Sequence, residues 1–160
     1  PVTMYRNTQQ LPDFEDYNMS NRTYRYFNGS PLFAFGHGLS YSTFVYGEPN
    51  LSATSIGKND SLKVIIPITN SSKIDGDEVV QLYIKRTDDA KGPIKELRAF
   101  KRVNIPAGKS VDVELTLAPR QFEWWDEKNN VMSTREGEFQ LFIGNSSDDA
   151  NMKSINVNIK

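Results

Sequence analysis

The chain has 160 residues, 38% of them hydrophobic, which is enough for one domain that buries a core without disulfides or a metal. Its 19 Lys and Arg residues nearly balance 20 Asp and Glu residues, so no net field attracts nucleic acid, and no apolar run approaches the roughly 20 residues that span a bilayer. The absence of cysteine excludes a disulfide framework, a thiolate nucleophile and a cysteine zinc site. We therefore expect no nucleic-acid partner, no membrane partner, no metal and no cofactor.

The first 46 residues contain 11 of the 18 aromatic residues of the chain. They lie among prolines and glycines and follow neither a helical nor a strand period, which predicts a loop and an extended arm. So much apolar surface is typical of an interface, so we expect the arm to lie along another domain and to fold back in part onto its own. The aromatic residues assigned to this interdomain arm are Tyr24, Tyr26, Phe27, Phe33 and Phe35. Because the chain opens at Pro1 without an initiator methionine, we interpret it as a fragment.

From about residue 39 onward, short β-rich runs alternate with turn-forming clusters, which predicts strands at 40–46, 51–56, 62–69, 78–85, 98–105, 111–117, 121–125, 138–143 and 154–159. Alternation defines a buried face, for example from Val111 to Leu117. Pro67 cannot donate a ladder hydrogen bond, so its strand should be at a sheet edge or bulged there. The pattern predicts an all-β fold, an immunoglobulin-like β-sandwich with an extended N-terminal arm.

The search for chemistry gives no catalytic residue. The only histidine, His37, lies in a Gly-His-Gly-Leu-Ser run whose serine follows the glycines, so it is not a nucleophile elbow. The adjacent acids that begin at Glu15, Asp88 and Asp148 fall in turn-like segments, where solvated carboxylates are the expected outcome. We therefore expect no catalysis by this segment alone.

One aromatic run, from Phe122 to Trp125, has two interpretations. Successive residues of a strand face opposite ways, so Phe122 and Trp124 should share the buried face and leave Trp125 outside. Trp125 is then either a platform for a sugar ring or an interdomain contact. The sequence leaves both open.

Several motifs closely resemble family 3 glycoside hydrolases. They are RTYRYF at 22–27, PLF at 31–33, FGHGLSYSTF at 35–44, GDEVVQLY at 76–83, KELRAFK at 95–101, AGKS at 107–110, GEF at 137–139 and IGNSS at 143–147. One departure is His37, where the family has a tyrosine. The opening PVT resembles the tail of a strand in the upstream domain of that family, and FEDY at 14–17 resembles the loop after it.

The resemblance implies a division of the chain. Residues 1–38 would be the tail of an upstream α/β catalytic domain with a connecting arm, and residues 39–160 a C-terminal fibronectin type III-like domain. It also implies a retaining exo-β-glycosidase for β-glucosides or β-xylosides of plant polysaccharides, which works through a glycosyl-aspartate with a glutamate as acid/base. Both catalytic residues would lie outside this chain. Residues Glu15, Asp16 and Tyr17 would approach the substrate in the whole enzyme, and a periplasmic or extracellular location would follow.

Two functions are consistent with these observations. The chain could be a scaffold whose partners are the catalytic domains of the same parent chain, with an oligosaccharide bound only through the parent. Alternatively, it could be a carbohydrate-binding module that holds polymeric substrate. A stand-alone adhesion module fits the sandwich but not the upstream remnant.

Overall fold

The computed structural model describes residues 4–160, so the PVT motif at 1–3 lies outside the described residues. A short helix, α1 (Thr23–Tyr26), precedes the strands, and single 3₁₀ turns lie at Thr8–Gln10, Pro119–Phe122 and Asp149–Asn151. The strands are β1 (Phe44–Tyr46), β2 (Asn50–Leu51), β3 (Ser55–Ile56), β4 (Leu62–Asn70), β5 (Gly76–Arg86), β6 (Glu96–Ile105), β7 (Ser110–Leu117), β8 (Glu123–Asp126), β9 (Val131–Thr134), β10 (Gly137–Gly144) and β11 (Lys153–Ile159). No helix of the described residues has the length and apolarity to cross a membrane.

Two mainly antiparallel sheets enclose the core, which confirms the all-β sandwich. In the smaller sheet β4 pairs with β7 on one side and with β1 and β2 on the other. The larger sheet has the order β3-β11-β10-β5-β6, in which only the β3–β11 pair is parallel. A separate two-stranded ribbon, β8–β9, is termed the tryptophan hairpin below.

The core follows from the period-two alternation of the strands. Inward side chains of β4 and β7, such as Ile66 and Val113, join those of β5 and β10, such as Leu82 and Leu141, in one cluster. At about 25 cal/mol per Å² of apolar surface, burial of each of these side chains contributes roughly 1.5–3 kcal/mol.

Partly buried Tyr46 and buried Glu78 connect the two sheets at their margin. The Tyr46 hydroxyl donates a hydrogen bond to Glu78 Oε1 over 2.9 Å. Burial raises the pKa of the Glu78 carboxyl, and the bond from Tyr46 offsets part of that shift. The ionised Glu78 side chain therefore lowers the stability of the fold relative to its protonated form.

Five details differ from the sequence-based prediction. The predicted strand 40–46 is shorter than expected, because only Phe44–Tyr46 form β1. The predicted strand 51–56 is split into β2 and β3, which join different sheets. Residues 119–122 form a 3₁₀ turn that begins at a proline, so β8 starts later than predicted, and β9 was missed. The strand of Pro67 is also not at an edge, because β4 is paired on both sides.

Pro67 is accommodated by a break in the neighbouring strand. The carbonyl of Pro67 accepts a hydrogen bond from the N–H of Gly47 over 2.8 Å, so this residue faces the gap between β1 and β2. Residues 47–49 leave the sheet there. The missing N–H of Pro67 therefore has no ladder partner to satisfy.

Candidate functional site

The N-terminal arm is packed on the outer face of the larger sheet. Tyr24 stacks on Phe35 with ring centroids 4.0 Å apart and meets Tyr83 of β5 edge-on at 6.0 Å. Tyr83 lies on the face of β5 opposite the core, yet it is fully buried because these arm residues cover it. Burial accordingly raises the pKa of the Tyr83 hydroxyl. The part of the arm expected to fold back is thus centred on Tyr24 and Phe35.

A glycine and a buried glutamine lock the arm in place. The Gln81 side-chain amide donates to the carbonyls of Gly36 (3.1 Å) and Asn145 (2.6 Å), and its Oε1 accepts from the Tyr83 hydroxyl (2.6 Å). Gly36 has φ +79°, and a Cβ there would lie 2.0 Å from Gln81 Oε1. Only glycine fits this position without displacing Gln81.

Backbone hydrogen bonds extend the contact at both ends. The N–H of Ile94 donates to the carbonyl of Arg25 (2.6 Å), and the N–H of Ser147 donates to that of Phe35 (2.8 Å). The Tyr24 hydroxyl accepts from the N–H of Leu97 (3.0 Å). The arm therefore pairs with the segment that enters β6 and with the loop after β10.

The loop after β10 is itself held by a buried lysine. Lys95 Nζ donates to the carbonyl of Ser147 (2.9 Å), pairs with Asp149, and lies 5.3 Å from the centre of the Phe142 ring. The ammonium thus has partners on several sides although Lys95 is buried. Ser147, which binds the arm, is fixed through it.

Much of the arm remains in solvent. Phe14, Tyr17, Leu39 and Tyr41 are each at least 90% exposed. Phe33 is half-exposed, and its ring stacks at 5.2 Å on that of His37. Of the other predicted arm residues, Tyr26 lies 5.5 Å from the Arg25 guanidinium, and Phe27 contacts Tyr5 edge-on at 5.3 Å. The predicted interdomain role of these aromatic residues stays a prediction.

The loop at 13–18 holds the residues predicted to approach the substrate. Glu15 and Tyr17 are exposed, whereas Asp16 is half-buried and accepts two hydrogen bonds from Asn18, of 2.9 and 2.8 Å. Arg22 donates to the carbonyls of Asp13, Asp16 and Asn18 and so braces the loop backbone. These three consecutive site residues lie in one loop, and their contact with substrate remains a prediction.

The tryptophan hairpin places its two indoles on opposite faces, as the alternation predicts. Trp124 is buried and Trp125 is 53% exposed beside Met132, its cross-strand partner. Asp126 closes the hairpin: its carboxylate accepts from the N–H of Lys128 (3.0 Å) and the amide of Asn129 (2.9 Å), and pairs with Arg135 (3.1 Å). These hydrogen bonds, chiefly that from the Asn129 side chain, hold the pKa of Asp126 below its usual value.

The remaining acid pairs have structural partners too. Asp88 forms a two-pronged ion pair with Arg86, at 3.0 and 2.6 Å, and Asp89 Oδ1 accepts from the N–H of Gly92 (2.8 Å) in the turn. Asp148 caps the 3₁₀ turn at Asp149–Asn151. Among residues 4–160, no three His, Cys, Asp or Glu side chains cluster as metal ligands would.

A chain of charges links the arm to the tryptophan hairpin, and sequence reasoning missed it. Arg25 of α1 pairs with Glu96, which also pairs with Arg98 at 2.6 Å. The Arg98 guanidinium lies 4.5 Å from the centre of the Trp124 ring and donates to the carbonyl of Glu123 (3.1 Å). We term Arg25, Glu96 and Arg98 the ion chain.

A β-bulge explains how Arg98 reaches the hairpin. Leu82 of β5 pairs with Ala99 and Tyr83 pairs with Leu97, so Arg98 is the extra residue between them. Bulges re-aim a side chain out of the regular alternation. No local sequence signal marks this one, because Arg98 stands in an ordinary β-rich run.

Comparison with known proteins agrees with the β-sandwich fold. The family model described as "Fibronectin type III-like domain" matches residues 78–147. A xylan 1,4-β-xylosidase of Xylanibacter ruminicola is 44% identical over 158 residues, which are 99% of this chain and 18% of that enzyme. The β-glucosidase BoGH3A of Bacteroides ovatus is 33% identical over 84% of this chain and 18% of its own length.

A solved structure shares the fold. A β-glucosidase from Erythrobacter marinus superposes with a TM-score of 0.81 at 32% identity, over 99% of this chain and 21% of that one. The chain thus spans about a fifth of the length of the enzymes that it matches. It is a segment of a family 3 glycoside hydrolase, and it contains the fibronectin type III-like domain of that family.

Proposed function

We propose that the chain is the accessory, scaffolding part of a retaining exo-β-glycosidase for β-glucosides or β-xylosides, and that it performs no catalysis by itself. One observation carries this proposal: the sandwich has a buried core of its own, yet Phe14, Tyr17, Leu39 and Tyr41, all before β1, are almost wholly exposed. Large exposed apolar side chains mark an interaction site. The rest of the same enzyme is the partner that fits, because the chain spans about a fifth of its relatives.

The acids of the chain support a non-catalytic role. A glycosidase needs two carboxyl groups about 5–9.5 Å apart around a sugar. Here Asp88, Asp126 and Asp149 are engaged with arginine or lysine side chains in surface turns. We further propose, from the family resemblance, that the enzyme acts in the periplasm or outside the cell.

Activity assays test this function directly. The purified chain should give no turnover of aryl β-glucosides or aryl β-xylosides, whereas the whole enzyme should hydrolyse at least one of them. Deletion of residues 39–160 from the whole enzyme should lower its thermal midpoint and its activity together. Turnover by the isolated chain that persists through further purification contradicts the proposal.

A carbohydrate-binding module is the second candidate, and the half-exposed Trp125 favours it. Aromatic rings stack on sugar faces, so bound xylan or cellulose oligomers would change the emission of Trp125. The scaffold predicts no saturable change when these oligomers are titrated into the isolated chain. A saturable change that is lost in Trp125→Ala would favour the binding module.

A further inference from the structure

The ion chain makes the arm and the tryptophan hairpin parts of one structure. Glu96 has only 13% of its side chain exposed and Arg98 only 17%, so their charges are poorly solvated and depend on one another. Removal of Glu96 would leave the cations of Arg25 and Arg98 without their shared counterion. Loss of one partner from such a site is strongly destabilising, because the remaining charge is uncompensated.

The same place holds buried polar atoms without partners. The Nε atoms of Arg25 and Arg98 and the Nε1 atom of Trp124 are buried and have no hydrogen-bond acceptor among the described residues. Native structures leave few buried donors unpaired, so three at one junction require an explanation. A rearrangement of this junction when a partner docks beside it would supply acceptors.

The exposed face of the hairpin is suited to an apolar protein surface. Trp125 lies beside Met132, and Val131 at the start of β9 is also half-exposed. Aromatic residues and methionine are enriched in protein interfaces. The carboxylate of Asp126, next to Trp125 in sequence, is already engaged within the hairpin by Asn129 and Arg135.

We propose that the arm and the tryptophan hairpin form a single docking surface for the catalytic part of the same enzyme, with Glu96 as the positioning residue that holds the two together. This inference rests on the proposed scaffolding function and extends it to the hairpin. It assigns Trp125 to an interdomain contact and not to a sugar.

Tryptophan emission tests the link within the isolated chain, because its only tryptophans, Trp124 and Trp125, both lie in the hairpin. Glu96→Gln should shift the emission to longer wavelength and raise amide exchange across residues 123–134 by about tenfold. Arg25→Gln, a change within the arm that keeps the Glu96–Arg98 pair, should produce a smaller effect in the same direction. Arg102→Gln is the matched control, since Arg102 lies on β6, as Glu96 does, and its pair with Asp77 of β5 is exposed.

The outcomes separate clearly. If Glu96→Gln and Arg25→Gln leave hairpin exchange at the level of Arg102→Gln, the link is wrong. Should Glu96→Gln prevent folding, Arg25→Gln alone decides, because the Arg25 side chain is more exposed and the pair Glu96–Arg98 is kept.

Hydroxyl-radical footprinting of the isolated chain and the whole enzyme identifies the occupant. Oxidation of Trp125 and Met132 should be several-fold slower in the whole enzyme without any sugar. Equal oxidation in both proteins, with protection only after xylo- or cello-oligosaccharide is added, would assign the hairpin to sugar and overturn the proposal. The scaffolding function would survive that result, since it is tested by the activity of the isolated chain.

Discussion

Substitution of Gly36 by alanine should release the arm from the sheet. A residue with a Cβ at φ +79° pays about 1–2 kcal/mol for the left-handed conformation. The new Cβ would also overlap Gln81 Oε1, and displacement of Gln81 endangers its three hydrogen bonds, each worth about 1 kcal/mol. The docked arm should therefore lose about 3–5 kcal/mol.

The measured loss of global stability should be smaller than this sum. The arm can detach while the sandwich remains folded, so the cost to the whole domain is limited to the free energy of arm docking. Opening of the arm should increase by about a hundredfold or more, since 1.4 kcal/mol corresponds to a factor of ten in an equilibrium constant. Trypsin cleavage after Arg25 and amide exchange at Ile94 and Ser147 report this opening.

Two other glycines provide matched controls. Gly38 has no positive φ and a Cβ there would meet nothing within 4 Å, so Gly38→Ala should leave the arm docked. Gly108 has φ +66° and equally open space, so Gly108→Ala should cost about 1–2 kcal/mol of global stability and leave arm exchange unchanged. If arm exchange in Gly36→Ala equals that in Gly38→Ala, the locking role of Gly36 and Gln81 is refuted.

Three further predictions follow from burial and charge. Glu78→Gln should raise the thermal midpoint at pH 7, because the pKa of Glu78 is raised in the fold. The stability that the protonated carboxyl contributes is lost as pH rises from about 4.5 through the folded pKa. The thermal midpoints of the two proteins should converge below about pH 4, and an unchanged difference between them there contradicts this prediction. Leu141→Ala should cost about 2–5 kcal/mol in chemical denaturation, against less than about 0.5 for the exposed Val45→Ala. The pKa of Asp126 is lowered, so the stability that its carboxylate gives the hairpin is present above about pH 4 and lost below it. Tryptophan emission should therefore change on acidification below about pH 4, and Asp126→Asn should abolish that change.

The strands were predictable because their signal is local. Alternation along β7 and β10 identified the buried face, and the same period separated Trp124 from Trp125. The split between β2 and β3 was not predictable, since two residues of each join different sheets and no turn cluster stands between them. Choice of sheet depends on the partner strand, which is a property of the whole fold.

The candidate site was less predictable because its contacts join distant residues. Gln81 and Tyr83 occupy outward positions of β5, where a polar or aromatic side chain is ordinarily solvated. Their burial depends on Gly36 and Phe35, which lie 45 and 48 residues earlier in the chain. The ion chain is similar, since Arg25 meets Glu96 only after the arm has docked.

Pro67 has a consequence for how the length of this domain can vary. Pro67 has no N–H, so the segment beside it need not supply a carbonyl acceptor at that point. Residues 47–49 can therefore leave the sheet without leaving a backbone donor unpaired. Extra residues inserted there would lengthen a surface loop, which costs only about 0.6 kcal/mol for each doubling of loop length. This position is the place where we expect the domain to accept an inserted peptide, such as an affinity tag, while both sheets keep their register.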